Sequence, residues 1–153
     1  REALKEIDHS FDYIIVDCAP SLSLITVNAL AAVQGVLIPM QCEYYALEGL
    51  ADLTQTIDRI QQALNPDLKI IGVLRTMYDA RNALTRDVSE ELEQYFGKKL
   101  YDTVIPRNVR LAEAPAHGLP IIFFEKSSKG AVAYLNLAAE IVKKSKVQKG
   151  ITA

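Results

Sequence analysis

The sequence has few of the features that mark membrane, secreted or disulfide-bonded proteins. None of its apolar runs reaches the roughly 18 residues that a membrane-spanning helix needs. No basic segment followed by an apolar one opens the chain, so no secretion signal is expected there. Two cysteines, Cys18 and Cys42, do not make a disulfide framework. Each follows an apolar run, where a small buried thiol is expected, and a reducing, cytoplasmic setting fits.

The composition is that of an ordinary globular protein, with 153 residues of which 50% are hydrophobic and 24% charged. Residues 1–76 carry 5 basic and 10 acidic side chains, net −5, and residues 77–153 carry 12 basic and 9 acidic, net +3, which sum to −2. A positive half can mark a nucleic-acid face. Solvated lysines on the last helix explain the same asymmetry, and charge alone favours that plainer explanation.

Strand-like and helix-like segments alternate along the chain. Strands are predicted at 12–17, 35–40, 68–77 and 101–106, and helices at 22–33, 44–64, 84–96 and 129–144, with a loop-rich part at 107–127. The strands are continuous apolar runs, which are typical of strands covered on both faces. The alternation predicts an α/β fold of three layers, a mostly parallel sheet with helices on both faces.

Both ends of the chain carry a prediction of their own. Ala3, Leu4 and Ile7 have helical spacing without a capping residue before them, so the chain is expected to begin inside a helix with its N-terminal part missing. Residues 145–153 are expected to form a flexible tail of a single domain that spans 1–153.

The inward face of the last helix is predicted from apolar residues at helical spacing. These residues are Val132, Leu135, Ala139 and Val142.

Polar segments follow each predicted strand, namely 17–20, 41–45, 77–81 and 106–110. Ligands bind beyond the carboxyl ends of strands in open parallel sheets, so one shared site is expected there. Strand-to-helix turns are polar in most proteins, however, and these four segments are only slightly more polar than such turns usually are.

Asp17 ends the first predicted strand, "DYIIVD". In the second nucleotide motif of P-loop NTPases such a carboxylate holds magnesium, usually through water. Magnesium prefers one or two carboxylates together with phosphate oxygens. The pattern is weak alone, because many strands end this way and an aspartate can simply cap the next turn. The Cys-Ala-Pro-Ser that follows favours the metal site.

Five segments resemble, in order and spacing, the motifs of the ParA/Soj chromosome-partitioning ATPases, and they cover nearly the whole chain. They are "DYIIVDCAPSLSLITVNAL", "IPMQCEYYALEGL", "TMYDAR", "VIPRNVRLAEAPAHGLPI" and "SKGAVAYLNLAAEI". The segments "QCEYYALEGL" and "IPRNVRLAEAPAHG" are the most specific. The family usually has two prolines after Asp-x, and here the first is Ala19, which is expected to soften the turn without removing metal binding.

One part of the family's pattern is absent from the chain. The phosphate cradle G-x-x-x-x-G-K-[ST] does not occur, and in the family it precedes the point where this chain begins. The resemblance therefore implies the C-terminal portion of a P-loop NTPase-like domain of the deviant Walker A type. Phosphoryl transfer without the cradle loses its main stabiliser. The chain alone is expected not to hydrolyse ATP, and no catalytic residue is assigned in it.

The resemblance also implies residue roles around a nucleotide. Asp17 matches the magnesium-linked carboxylate. The segments that surround the adenine in the family are matched by Met77, Pro106, Arg107 and Asn108. A turn near the nucleotide and the subunit interface is matched by Gln41 and Glu43, for which structural and functional roles are equally expected. Tyr44 and Tyr45 are expected to pack in the interior.

Arg81 and Arg110 resemble the family's surface arginines that grip DNA without sequence preference. A patch around them would be extended by Arg86, Lys126 and Lys129, although solvated charge is the plainer explanation for each lysine. His9 and His117 have no partner at ligand spacing and are expected to be structural or exposed.

The implied function is that of a partitioning ATPase in the cytoplasm, associated with the nucleoid. ATP with Mg²⁺ would drive formation of a homodimer that binds non-specific DNA, and a ParB-like centromere-binding partner would trigger hydrolysis.

Two alternatives stay open. A membrane-surface ATPase of the division-site type would need an amphipathic end, but after Val142 only Val147 and Ile151 are sizeable apolar side chains, so no membrane binding is expected. A non-enzymatic interaction module would use an exposed sheet edge.

Overall fold

The structure, a computed structural model, describes residues 2–19 and 23–148. Helices and strands alternate between residues 24 and 113, and short 3₁₀ turns lie at Asp8–Ser10, Gly97–Lys99 and Ala114–His117. The elements are α1 (Glu2–Lys5), α2 (Leu24–Ala32), β1 (Gly35–Gln41), α3 (Tyr44–Ala63), β2 (Lys69–Tyr78), α4 (Ala83–Phe96), β3 (Leu100–Pro106), α5 (Val109–Glu113), α6 (Ile121–Phe124) and α7 (Lys129–Gln148).

The three strands form one sheet in the order β1-β2-β3. Strands β2 and β3 run parallel, with Val73 opposite Leu100 and Tyr78 opposite Pro106. Parallel neighbours require a crossover, and α4 supplies the one between β2 and β3. The predicted α/β class with parallel strands is therefore confirmed.

The chain divides into two compact units. The first contains the described residues up to Leu37 together with Glu48–Ile71. Its central polar contact is Asn65, which is fully buried and donates from Nδ2 to the carbonyl oxygens of Leu30 at 2.9 Å and Val33 at 2.7 Å. Asn65 thereby satisfies carbonyl groups at the end of α2, which have no partner inside the helix.

The second unit contains Ile38–Leu47 and the described residues from Gly72 onward. Its core holds Val73, Leu92 and Tyr101, none of which is more than 2% exposed. Gly72 lies directly against the Tyr101 ring, and a Cβ atom at Gly72 would overlap that ring. The close approach of β2 and the β3 aromatic therefore requires glycine at position 72.

Helix α7 packs on β3 through a charged pair. Glu140 accepts hydrogen bonds from the backbone N–H groups of Asp102 and Thr103, both at 3.0 Å. Lys144 lies 3.1 Å from Glu140 Oε1 and 4.1 Å from the centre of the Tyr101 ring. Unpaired N–H groups of a strand invite pairing with another chain. The Glu140 carboxylate occupies two such groups of β3.

The prediction of a strand at 12–17 is wrong for this structure. No strand is assigned to residues 11–19, and Ile15 is 90% exposed while Phe11 is 61% exposed. A strand needs a hydrogen-bonded neighbour, and the three described strands form their own sheet without this segment. The apolar run alone is therefore not enough to form the strand.

The predicted inward face of the last helix is also wrong. Val132 and Leu135 are nearly half exposed, whereas Ala131 and Leu137 are buried. The buried face of α7 also carries the polar side chain of Glu140, which the apolar pattern does not select. Helix α7 extends to Gln148, beyond the predicted end at residue 144, and residues 149–153 lie outside the described part of the chain.

The segment 107–127, predicted to be loop-rich, folds into α5, a 3₁₀ turn and α6. The segment packs around a small apolar cluster of Ala114, Ile121 and, from α7, Ala131, with Leu111 against it. Short helices escape prediction from periodicity because five residues contain too little of a repeat.

Candidate nucleotide and DNA-binding site

The carboxyl ends of the strands in the second unit carry most of the predicted site residues. Gln41 is the last residue of β1, Met77 lies one residue before the end of β2, and Pro106 ends β3. The backbone N–H of Arg107 donates to the carbonyl oxygen of Tyr78 at 3.1 Å. The turns after β2 and β3 are therefore joined directly by a backbone hydrogen bond, while one site shared by all four turns stays a prediction.

Met77 has an unusual backbone, because its φ of 51° lies in the left-handed region. It also lies where the register between β2 and β3 shifts. Arg75 pairs with Val104 and Tyr78 pairs with Pro106, so between these two pairs β2 has one residue more than β3. Such a conformation costs a residue other than glycine about 1–3 kcal/mol and is concentrated at ligand sites. The side chain is 42% exposed, so a flexible apolar group faces solvent at the end of the sheet.

The segment after β3 is held by a helix cap. Asn108 has an extended backbone, and its Oδ1 accepts from the backbone N–H of Leu111 at 3.3 Å, which caps α5. Pro106 is half-buried and Arg107 is exposed. Asn108 thus has a structural function in positioning the turn.

Arg81 is held by Asp79 through a forked ion pair. Its Nε donates to Asp79 Oδ1 at 2.9 Å and its Nη2 to Oδ2 at 2.8 Å. The backbone N–H of Arg81 also donates to Oδ1, at 3.1 Å. The side-chain hydrogen bond from Arg81, then its backbone N–H, lowers the pKa of Asp79 to about 2, with a further contribution from the charge of Arg107. The Asp79 side chain is therefore an anion at any ordinary pH.

The second predicted DNA-binding arginine has a similar but simpler contact. Arg110 Nη1 lies 2.8 Å from Glu113 Oε2, one turn along α5, and both side chains are about half exposed. Arg86, a predicted extension of the patch, donates from Nη1 to the carbonyl oxygen of Ala80 at 2.8 Å. Lys126 and Lys129 are exposed.

The turn after β1 places polar side chains in solvent. Glu43 and Gln41 are exposed, and the N–H of Glu43 donates to the carbonyl of Gln41 at 2.9 Å. Tyr44 and Tyr45 follow, 60% and 81% exposed, with their ring centres 5.8 Å apart in an edge arrangement. The prediction that these two tyrosines pack in the interior is wrong, because the first turn of α3 points them outward.

Cys42 is buried, as predicted. Burial raises the pKa of its thiol, and the charge of Arg75 offsets part of that rise.

Asp17 and its surroundings belong to the first unit. Asp17 is exposed, and the next residue, Cys18, is exposed as well, so the expectation of a buried thiol is wrong for Cys18. The predicted segment continues into Pro20, which lies outside the described residues. Within residues 2–19 and 23–148, no group of three or more His, Cys, Asp or Glu side chains is placed to hold a metal ion. Asp17 is thus a single exposed carboxylate, and its role as the magnesium-linked residue stays a prediction.

Arg75 is a polar residue of the second unit that the sequence patterns did not single out. It donates to Ser89 Oγ at 2.6 Å and to the carbonyl oxygens of Tyr101 at 2.9 Å and Asp102 at 3.3 Å. Its buried Nε has no hydrogen-bond partner in the described part of the chain. An arginine inside the apolar run "LKIIGVLRTM" is the signal that could have found it. The side chain ties β2 to α4 and β3.

Both histidines are exposed, which is one of the two environments expected for them. His117 stacks on Phe124 with ring centres 4.7 Å apart. No helix in the described residues is long and apolar enough to cross a membrane.

The sequence of this chain is similar to those of known proteins. A family model described as an AAA domain matches residues 1–70. The chromosome partitioning protein ParA of Myxococcus xanthus is 54% identical over 94% of this chain and 51% of that protein. The sporulation initiation inhibitor protein Soj of Bacillus subtilis is 56% identical over 92% of this chain and 56% of that protein. The chain thus spans about half the length of the curated relatives it matches.

Solved structures share the fold. The cobyrinic acid a,c-diamide synthase of Mycobacterium smegmatis, solved with bound ADP and magnesium, is 35% identical, with a TM-score of 0.76 over 95% of this chain and 52% of that one. The cell division ATPase MinD of Pyrococcus furiosus is 24% identical, with a TM-score of 0.74 over 93% of this chain and 56% of that one. At that identity the MinD likeness is evidence of the fold alone.

Proposed function

We propose, on the premise that the chain belongs to the ParA/Soj family of chromosome-partitioning proteins, that it forms part of a DNA-partitioning ATPase. The observation that carries this proposal is the 46–56% identity to proteins named ParA and Soj over at least 92% of the chain. In the intact protein, ATP binding drives a homodimer that coats DNA, and a ParB-like partner stimulates hydrolysis. The protein acts in the cytoplasm, on the nucleoid.

The turns after β2 and β3 contact the adenine in this proposal. Met77 is exposed at a strained bulge, where an apolar, polarisable side chain can lie against a flat base. Pro106 offers a second flat apolar surface, and the bond from Arg107 N–H to the Tyr78 carbonyl fixes the distance between the two turns. Asn108 holds the segment in place by capping α5.

Asp17 would hold the magnesium ion, and the bound ion would supply positive charge that neutralises phosphate oxygens. ADP and magnesium in the Mycobacterium smegmatis synthase support this cofactor pair. Gln41 and Glu43 lie at the nucleotide end of β1 and face the partner subunit in the homodimer.

The chain alone does not hydrolyse ATP in this proposal, because it contains no phosphate cradle of the form G-x-x-x-x-G-K-[ST]. A phosphate-release assay on the purified 153-residue chain is expected to show no turnover above the rate without protein. The intact protein is the matched control and is expected to release phosphate. Turnover by the chain alone would contradict the proposal.

Arg81 and Arg110 bind DNA phosphates without reading bases in the intact protein. Both are exposed, and such contacts weaken steeply with salt. Arg110→Ala is expected to weaken non-specific DNA binding and to flatten the slope of log Kobs against log salt by about 0.9, while ATP binding stays intact. A salt-titrated mobility-shift assay measures both. Unchanged DNA affinity would remove Arg110 from the interface.

A further inference from the structure

Each arginine assigned to DNA already has an anionic partner in its own segment. Arg81 pairs with Asp79, two residues earlier, through two side-chain bonds of 2.9 and 2.8 Å. Arg110 pairs with Glu113, three residues later, through one bond of 2.8 Å. A carboxylate this close cancels much of a cation's attraction for a second anion, because at a distance the pair acts as a neutral group.

The geometry around Asp79 keeps the pair together and still leaves the arginine accessible. The carboxylate receives a third bond, from the Arg81 backbone N–H at 3.1 Å, so it is fixed from two directions. The Arg81 side chain is 90% exposed and the Asp79 side chain only 29%. Asp79 uses two of the five guanidinium N–H groups, which leaves three for another acceptor. A phosphate can therefore reach Arg81 without displacing Asp79, but it meets the carboxylate's negative charge just behind the guanidinium.

We propose that Asp79 restrains the binding of DNA phosphate by Arg81, as a fixed counter-charge, and that Glu113 restrains Arg110 in the same way. Asp79 is thus a positioning residue whose charge tunes affinity for the phosphodiester backbone. The inference rests on the proposed DNA-binding function and adds its regulation. The Asp79 pair has the larger effect, because it is forked and anchored to the backbone while the Glu113 pair has one bond. The result is a DNA contact that is weak enough to release readily.

Asp79→Asn tests the inference in the intact protein with ATP and Mg²⁺. The substitution removes the charge and keeps an oxygen that can accept from Arg81. Fluorescence anisotropy with a duplex of arbitrary sequence is expected to show about two- to fivefold tighter binding, the range for losing one exposed ion pair. The matched control is Asp87→Asn, which makes the same charge change at an exposed position of α4 and is expected to have a smaller effect.

The double variant Asp79→Asn/Arg81→Ala shows whether the gain in DNA affinity acts through Arg81 or through the overall change in charge, which other cations such as Arg107 also feel. The gain from Asp79→Asn is expected to vanish in the Arg81→Ala background. A gain that equals that of Asp87→Asn, or that persists without Arg81, overturns the inference alone. If the wild type does not bind DNA, or if Arg81→Ala changes nothing, the proposed DNA contact fails and the inference fails with it.

Glu113→Gln provides an independent second variant if Asp79→Asn lowers the melting temperature measured by circular dichroism. A smaller gain in DNA affinity is expected, and Arg110→Ala should abolish that gain. No gain for Glu113→Gln in a protein that melts like the wild type would overturn the inference for Arg110.

Discussion

Two similar apolar segments, residues 13–16 and residues 70–74, end in opposite environments. Both are continuous runs with two adjacent isoleucines, and both are predicted to form buried strands. In the structure Val73 of the second segment is fully buried, whereas Ile15 of the first is 90% exposed. The second segment lies in β2, between β1 and β3, while the first is paired into no strand.

The difference teaches that an apolar run gives a segment the capacity to be a strand, and its neighbours decide whether it becomes one. Strand β2 has β3 beside it, glycine at 72 where the Tyr101 ring approaches, and a hydrogen bond from Arg75 to Ser89 of α4. Edge strand β3 has two of its N–H groups covered by Glu140. These devices can be removed one at a time.

The largest difference between residues 13–16 and residues 70–74 is expected in the free energy of unfolding when one apolar side chain in each is truncated to alanine. Leu74→Ala should lower the free energy of unfolding of the 153-residue chain by about 2–5 kcal/mol, because it empties space in a packed core. Ile15→Ala should change it by less than about 0.5 kcal/mol. Urea denaturation followed by circular dichroism measures both.

The same pair also tests the predicted strand at 12–17 in the intact protein. If that strand forms there, Ile15→Ala should cost about 2 kcal/mol or more in the longer protein. An equal, small effect in both proteins would mean that the segment is a surface loop in either context.

Filling the space between β2 and the Tyr101 ring should have the next largest effect. Gly72→Ala is expected to destabilise the chain by about 1–3 kcal/mol, because the buried ring must move to admit a methyl group. Gly49→Ala is the matched control: it makes the same change at an exposed position of α3, where nothing lies within 4 Å of the added Cβ, and should stabilise by up to about 1 kcal/mol. A melting temperature of Gly72→Ala at or above that of the wild type would show that the ring is not close-packed.

Removing the cover of the β3 edge should have the smallest effect of the three. Glu140→Ala leaves the N–H groups of Asp102 and Thr103 without their acceptor and should cost about 1–2 kcal/mol at pH 7. Urea denaturation at fixed pH measures the loss.

The pH dependence of that loss has a definite sign. Burial opposes ionisation of Glu140, but hydrogen bonds from Thr103, Asp102 and Lys144 outweigh it, so the pKa of Glu140 is lowered. Its contribution is therefore complete above the ordinary glutamate pKa of about 4.3 and is lost as the pH falls through the lower folded value. The difference in unfolding free energy between wild type and Glu140→Gln should shrink as the pH falls below about 4. A difference in unfolding free energy that stays constant with pH would mean that the charge of Glu140 does not contribute to stability.

The longer elements were predictable because each has a complete repeat and a recognisable end. Helices α3 and α4 match their predicted ranges within one residue, and Gly97 ends α4 with a positive φ as expected of a stop residue. The helices in 107–127 were missed because they are too short to show a period.

The face of α7 was mistaken because the helix is apolar on two sides. Its buried side carries Glu140 and Lys144, whose value lies in contacts with β3 that no local pattern reveals.

The rule that ligands meet the carboxyl ends of parallel strands singled out the segments that begin at Met77 and Pro106, and both residues do lie at the ends of their strands. The local geometry of these residues did not follow from that rule. The positive φ of Met77 depends on an extra residue in β2 relative to β3, and that register is a property of the pair of strands.

By itself the sequence determined the α/β class, the order of the long helices and strands, and the resemblance to the ParA/Soj family, because periodicity and motif spacing are local properties. Tertiary structure decided which apolar runs are buried, which face of α7 packs on β3, and that the loop after β2 fixes a carboxylate against Arg81. Burial and pairing depend on residues far apart in the chain, so Ile15 is exposed where Val73 is enclosed, although their own segments look alike.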